Sequence, residues 1–98
     1  MGAFFQLMQF VFMQVKGLSD MHSAFVLMNA ELGKENKLVK ELRAIPNVQE
    51  VYGVYGVYDV LMEIAADSME TLREIITTKV RKLDGVKSTL TMIIVKDE

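Results

Sequence analysis

Residues 23–32, SAFVLMNAEL, are apolar on both alternating faces, with Phe25 and Leu27 on one side and Val26 and Met28 on the other. A strand of this kind belongs in the middle of a sheet whose two faces are both covered. The segments that follow show what could cover it. Residues 33–45 place Leu38, Val39, Leu42 and Ile45 on one helical face and Lys34, Glu35, Lys37, Lys40 and Glu41 around the rest, with Pro46 and Asn47 as the stop. That is an amphipathic surface helix. Its Lys37 and Glu41 are spaced as an i,i+4 pair worth a few tenths of a kcal/mol, and the charges read as a solvated face.

Residues 48–65 read as two strands around a tight turn. They contain a small repeat, VYG, VYG, VYD, over residues 51–59. A period of three does not fit a strand's period of two, so a turn or bulge must intervene. Gly56 is the residue for it, because glycine tolerates the positive φ a hairpin needs. Beyond it Tyr58, Val60, Met62 and Ile64 form one face, and Asp59, Leu61, Glu63 and Ala65 the other. Asp67 and Glu70 then make a D-x-x-E capping box for a second helix, in which Leu72, Ile75, Ile76, Val80 and Leu83 recur at helical spacing until Gly85. Residues 86–95 close the chain as a strand. Lys87, Thr89, Thr91, Ile93 and Val95 share one of its faces, and Val86, Ser88, Leu90, Met92 and Ile94 the other. A faint duplication supports this layout: LRAIPNV at 42–48 and VRKLDGV at 80–86 both end a helix, turn and start a strand, 38 residues apart.

Strand, helix, strand, strand, helix, strand is the order of an α+β, ferredoxin-like split βαβ unit, a four-stranded antiparallel sheet with two helices on one face. The other face stays bare. Phe25, Leu27, Leu61, Ile93 and Val95 are placed there, an apolar patch that predicts packing of two copies sheet to sheet. Size points the same way. With 98 residues there is room for one domain, and residues 21–98 alone make a unit that buries only about 60% of its unfolded surface.

Residues 1–20 form a separate N-terminal extension, carrying four of the five phenylalanines and only two charges, Lys16 and Asp20. As a helix, residues 1–15 would reach about 22 Å, short of the roughly 30 Å hydrocarbon core. No membrane span is expected, and the stretch lacks the basic start and small-x-small end of a secretory signal. It is expected to be an extra element packed on the domain or a neighbour, or the product of a start codon placed too far upstream of Met21.

Several chemistries are disfavoured. The chain has no cysteine, which removes disulfides, thiolate nucleophiles and Cys-based metal sites and fits a cytoplasmic protein. Its net charge of −2 and alternating acidic and basic residues leave no phosphate-tracking surface, so direct nucleic-acid binding is not expected. His22 is the single histidine and has no companion ligands, so no metal is expected. Asp59 and Glu63 lie on one strand face but about 13 Å apart, too far for a carboxylate dyad. No GxSxG, HExxH, P-loop or GxGxxG motif occurs, and no catalytic residues are assigned. Of the eight methionines, Met28, Met62 and Met92 fall within strands and read as core filler.

The more specific signal is a set of motifs in order: AFVLMNAE, IPNV, the GxYD hairpin, the DxxE helix start, and GVxxTxT in the last strand. From about Ala24 to Val95 the chain resembles the effector-binding RAM domain (regulation of amino acid metabolism) of the Lrp/AsnC feast/famine transcription regulators. The resemblance implies an amino-acid sensor without a cofactor, which dimerises through its sheets, assembles further into rings and binds small effectors where dimers meet. It also implies an effector site lined by Gly56, Val57, Tyr58, Asp59, Thr89 and Thr91. The chemistry is compatible: glycine lets a ligand approach the backbone, while Asp59 suits an ammonium and the threonine hydroxyls suit a carboxylate. The bland alternative is that Gly56 makes the turn, Asp59 satisfies hairpin amides and the threonines are ordinary strand residues. Full-length members carry a helix-turn-helix domain, which 20 residues cannot hold, so the likeness is to stand-alone RAM proteins that act through full-length regulators. Two other readings are a small enzyme of the dimeric α/β-barrel kind and a ligand-free structural adaptor.

Overall fold

The computed structural model describes residues 21–95. The element expected within residues 1–20 lies outside the described residues. The chain runs β1 (His22–Ala30), α1 (Glu35–Arg43), β2 (Val48–Gly53), β3 (Val60–Ala66), α2 (Met69–Ile75, continued by a π-helical turn at Ile76–Val80) and β4 (Val86–Ile93). The four strands form one antiparallel sheet in the order β2-β3-β1-β4. The ferredoxin-like order read from the sequence is the one observed, with the two-sided apolar strand β1 inside the sheet.

Both helices lie on one side of that sheet, α1 over β2 and β3 and α2 over β3 and β1. Alternation in the strands fills the space beneath them. Ala24, Val26 and Met28 of β1 and Val60, Met62 and Ile64 of β3 are fully buried, together with Leu38 and Leu42 of α1 and Leu72 and Val80 of the second helical segment. Val39, Ile45 and Leu83 pack around this core, and Lys37 meets Glu41 at 2.9 Å on the outside of α1.

The duplication is visible in the backbone. Ile45 N–H donates to Leu42 C=O and Val48 N–H to Ile45 C=O, and 38 residues later Leu83 donates to Val80 and Val86 to Leu83. Asn47 C=O accepts from Ala65 N–H at 3.1 Å, and its counterpart Gly85 C=O accepts from Glu31 N–H at 2.8 Å. Each helix-to-strand turn therefore also ties down a neighbouring strand.

Four expectations need correction. The connection between β2 and β3 is no tight turn but a six-residue loop, residues 54–59, closed by Val54 N–H donating to Asp59 C=O at 2.9 Å. The cap of α2 is Ser68, whose hydroxyl accepts from Thr71 N–H at 3.1 Å; Asp67 precedes it and is exposed. The second helix does not stay α-helical to its end. Arg81 N–H donates to Ile76 C=O at 2.9 Å, a five-residue turn that keeps both Ile76 and Val80 buried.

The fourth correction concerns β4. Register pairs Ala24 with Ile93, Val26 with Thr91 and Met28 with Thr89, so these residues of β4 face the helix side. Phe25 pairs with Met92 and Leu27 with Leu90, which places Leu90 and Met92 on the bare face. Ile93 packs against the helix-side core instead of lying on that face, and Val95 follows the end of β4 and is exposed. The physical reason is that β4 is an edge strand at the margin of the helix layer. Its helix-side positions tolerate threonine, so polar residues do not mark the solvent face there. Phe25, Leu27 and Leu61 do lie on the bare face, each half-buried.

Candidate functional site

The residues implied for effector binding gather around the C-terminal end of β1. Asp59 is the last residue of the loop before β3. Its N–H donates to Met28 C=O at 2.9 Å, and its Oδ2 accepts from Ala30 N–H at 2.9 Å. The carboxylate thus takes the place of the carbonyl β3 would have offered had the ladder continued. The alternative read from the sequence, that Asp59 satisfies hairpin amides, is corrected: the amide its side chain satisfies is Ala30 N–H of the neighbouring strand β1. That bond leaves Oδ1 without a hydrogen bond among the described residues.

Gly56 stands at the loop tip with φ 149°, a backbone conformation that side chains disfavour, and open space surrounds it. Val57 beside it is 83% exposed, and Tyr58 is half-buried as the chain turns back toward the sheet. The loop and the start of α1 bound an open cleft of about 410 Å3 lined by Glu35, Gly53, Val54, Tyr55 and Asp59. Of the six implied site residues, Asp59 alone lines it.

Thr89 and Thr91 lie on the other side of β1. Thr89 is opposite Met28 and half-buried, and Thr91 is opposite Val26 and exposed. Asp59 and Thr89 therefore flank the same β1 residue, Met28, whereas Thr91 sits two positions further from the loop. Within one chain the loop tip and the threonines are separated by β1.

The two flanks are held to each other by contacts that sequence reasoning missed. Asp59 grips Ala30 from the hairpin side, and Gly85 C=O grips Glu31 N–H from the β4 side. Lys34 Nζ reaches Asp84 at 3.0 Å and Glu31 at 3.7 Å, binding the β1–α1 turn to the turn before β4. Its hydrogen bond and attraction to Asp84 raise the Lys34 ammonium above its ordinary value, and Lys34 in turn holds the Asp84 carboxyl below its own. Gly85 is needed at φ 100°, where an added Cβ would stand 3.2 Å from Lys34 Cβ. The repeat carried the signal for Gly85, since it aligns Gly85 with Asn47 and both carbonyls accept a strand amide.

Chemically, the arrangement offers one carboxylate oxygen, hydroxyls on an edge strand and exposed loop amides. Among the described residues no three His, Asp or Glu side chains are grouped to hold a metal. Nor is any helix among them long and apolar enough to cross a membrane.

Residues 23–97 match the family model described as the Lrp/AsnC ligand binding domain. An uncharacterised HTH-type transcriptional regulator of Pyrococcus horikoshii is 35% identical over 71 residues, which cover 72% of this chain and 45% of that protein. The chain thus spans about half the length of the curated relatives it matches. The crystal structure of FFRP-DM1 aligns with a TM-score of 0.73 at 39% identity, covering 76% of this chain and 99% of that one. A transcriptional regulator from Neisseria meningitidis, solved as a complex with L-Met, aligns with a TM-score of 0.73 over 94% of this chain and 62% of its own; at 15% identity that likeness shows the fold alone. The matched unit is regulatory and not catalytic, and the curated relatives are named transcriptional regulators. On this match over most of its length, the chain belongs to the Lrp/AsnC ligand-binding domain family.

Proposed function

We propose that the protein is a cytoplasmic effector-binding and assembly module that binds a small amino acid, forms a homodimer through its bare sheet face and assembles further. In this reading it modulates transcription of amino-acid metabolism genes by joining full-length regulators of its family. The observation that carries it is the family match across residues 23–97, which takes in the complete sheet and both helices. The L-Met complex of the Neisseria regulator is in keeping with an amino acid as the ligand class.

Geometry supports a shared site. The loop tip at Gly56 and Val57 and the edge threonines Thr89 and Thr91 cannot enclose a ligand within one chain, so the pocket is completed by a neighbouring copy. The Asp59 carboxylate, fixed by Ala30 N–H, meets an amino acid's ammonium with its other oxygen, and Tyr58 and the loop amides complete the ligand's surroundings. Calorimetry against each of the twenty amino acids at millimolar concentration, with native mass measurement before and after, tests this. Heat together with a change of assembly state is expected for at least one, and silence with all twenty would remove the sensing role.

A further inference from the structure

The bare face carries one feature that the effector reading does not use. Glu50 of β2 and Glu63 of β3 are directly opposite each other in the ladder, and Phe25 of β1 and Met92 of β4 continue the same row. The next row is Tyr52, Leu61, Leu27 and Leu90. Two like charges thus stand side by side within an apolar surface, an arrangement that disfavours both being ionised.

Their surroundings differ. Tyr52 O–H donates to Glu50 Oε1 at 3.1 Å, and this bond raises the phenol's own pKa. Glu63 has no donor among the described residues. Its carboxyl is pushed above the ordinary value, first by burial and then by Glu50. Among the described residues β1 and β4 offer Ser23, Phe25, Leu27, Leu90 and Met92 on this face, and neither helix packs on it. The nearest cation is Arg43 of α1, which lines a cleft at the β2 edge with Glu50 and donates to Val51 C=O at 2.9 Å; Glu50 alone acts electrostatically on Glu63. Among the described residues, none that the register aligns on this face is Lys, Arg or His.

We propose that pairing of two copies through the bare sheet face is coupled to proton uptake at Glu63, so that the dimer tightens as pH falls from neutral into the mildly acidic range. This rests on the sheet-to-sheet dimer in the function proposed above. A second copy suits the face by size. Four strands about 4.8 Å apart and seven residues at about 3.3 Å each give roughly 450 Å2 in projection. Side-chain relief raises the accessible area toward the ~800 Å2 per partner of a standard interface.

The sign follows from linkage. Covering the face withdraws Glu63 from water and favours its neutral form, so association binds protons and strengthens as pH drops. With one proton taken up by each copy, the dimer's dissociation constant falls by at least about tenfold between pH 7.5 and 5.5.

Sedimentation equilibrium of the full chain at these two pH values tests the coupling, with circular dichroism confirming that each variant is folded. Glu63→Gln is expected to associate tightly at both pH values with a flat profile, and Glu50→Gln to show a weaker pH dependence than the parent. Leu27→Asp is expected to dissociate at both. A parent chain whose association ignores pH, or a Glu63→Gln or Glu50→Gln variant that keeps the parent's slope, overturns the coupling alone, provided Leu27→Asp dissociates. A Leu27→Asp variant that associates like the parent overturns the sheet-to-sheet dimer itself and points to a different occupant of the face.

Discussion

The two faces of the sheet are made by the same strands and both carry large apolar residues, yet they end in different states. On the helix side Val26, Met28, Met62 and Ile64 are fully buried. On the other side Phe25, Leu27 and Leu61 are half-buried, and Leu90 and Met92 remain 43% and 45% exposed. Alternating residues of one strand thus have similar chemistry and different surroundings. The difference lies in the cover, which the described chain provides on one side only. Apolarity on both sides with cover on one is the mark of a unit built to meet another.

The largest effect that separates the faces is expected from cavities. Leu42 of α1 is fully buried against the sheet, and Leu42→Ala should cost about 2–5 kcal/mol in a denaturant titration. Leu61→Ala on the bare face should cost about 1 kcal/mol or less at protein concentrations where the chain is monomeric. Raising the concentration sharpens the comparison. If a second copy covers the face, the cost of Leu61→Ala grows with protein concentration, while the effect of Leu42→Ala on the folded monomer stays the same.

Asp59 sits where β3 leaves the ladder, and it serves structure by accepting from Ala30 N–H. Asp59→Ala leaves that half-buried amide without its acceptor and should cost about 1–3 kcal/mol. Asp59→Asn keeps an acceptor oxygen and should retain most of the stability. If the carboxylate also meets an amino acid's ammonium, Asp59→Asn loses ligand heat in calorimetry while its unfolding midpoint stays near the parent's. Equal heat from the two proteins would leave Asp59 with its structural role only.

How much of this was legible in the sequence depended on how many neighbours a residue has. β1 and β3 are flanked on both sides, and their alternation reported burial faithfully: Val60, Met62 and Ile64 face the core as read. β4 has one strand neighbour and lies at the margin of the helix layer, so its polar and apolar residues answer to different demands. Thr89 and Thr91 face the helix side where the cover is thin enough for water to reach them, and Leu90 and Met92 face the bare side. Alternation alone therefore gave the wrong parity to Ile93. The family resemblance implies Asp59 as a site residue, but its bond to Ala30 joins residues 29 positions apart and leaves no local pattern. The D-x-x-E spacing places the cap of α2 one residue early, because Asp67 and Ser68 are both competent acceptors and the backbone presents Ser68 to Thr71 N–H.

The next test addresses the turn that joins the helix layer to the edge strand. Gly85 combines φ 100° with a close approach to Lys34, so Gly85→Ala should cost somewhat more than about 1 kcal/mol. Gly53, with open space around its Cβ position and no positive φ, is the control, and Gly53→Ala should be nearly neutral. Similar thermal midpoints for the two variants would mean that the chain relaxes freely around Lys34, and the clamp on β1 would then contribute little.

The smallest effect concerns the start of the helix that covers β3 and β1. Ser68→Ala removes an acceptor from Thr71 N–H and should cost about 1 kcal/mol, whereas Asp67→Ala should change stability by a few tenths at most. The contrast bears on the two faces because α2 touches only the covered one. Ser68→Ala should therefore lower the unfolding midpoint without altering how tightly two folded copies associate. A Ser68→Ala protein whose association weakened in step with its stability would show that the helix layer and the bare face are energetically coupled through the sheet. The covered face would then help to shape the surface opposite it, instead of only filling the core beneath the helices.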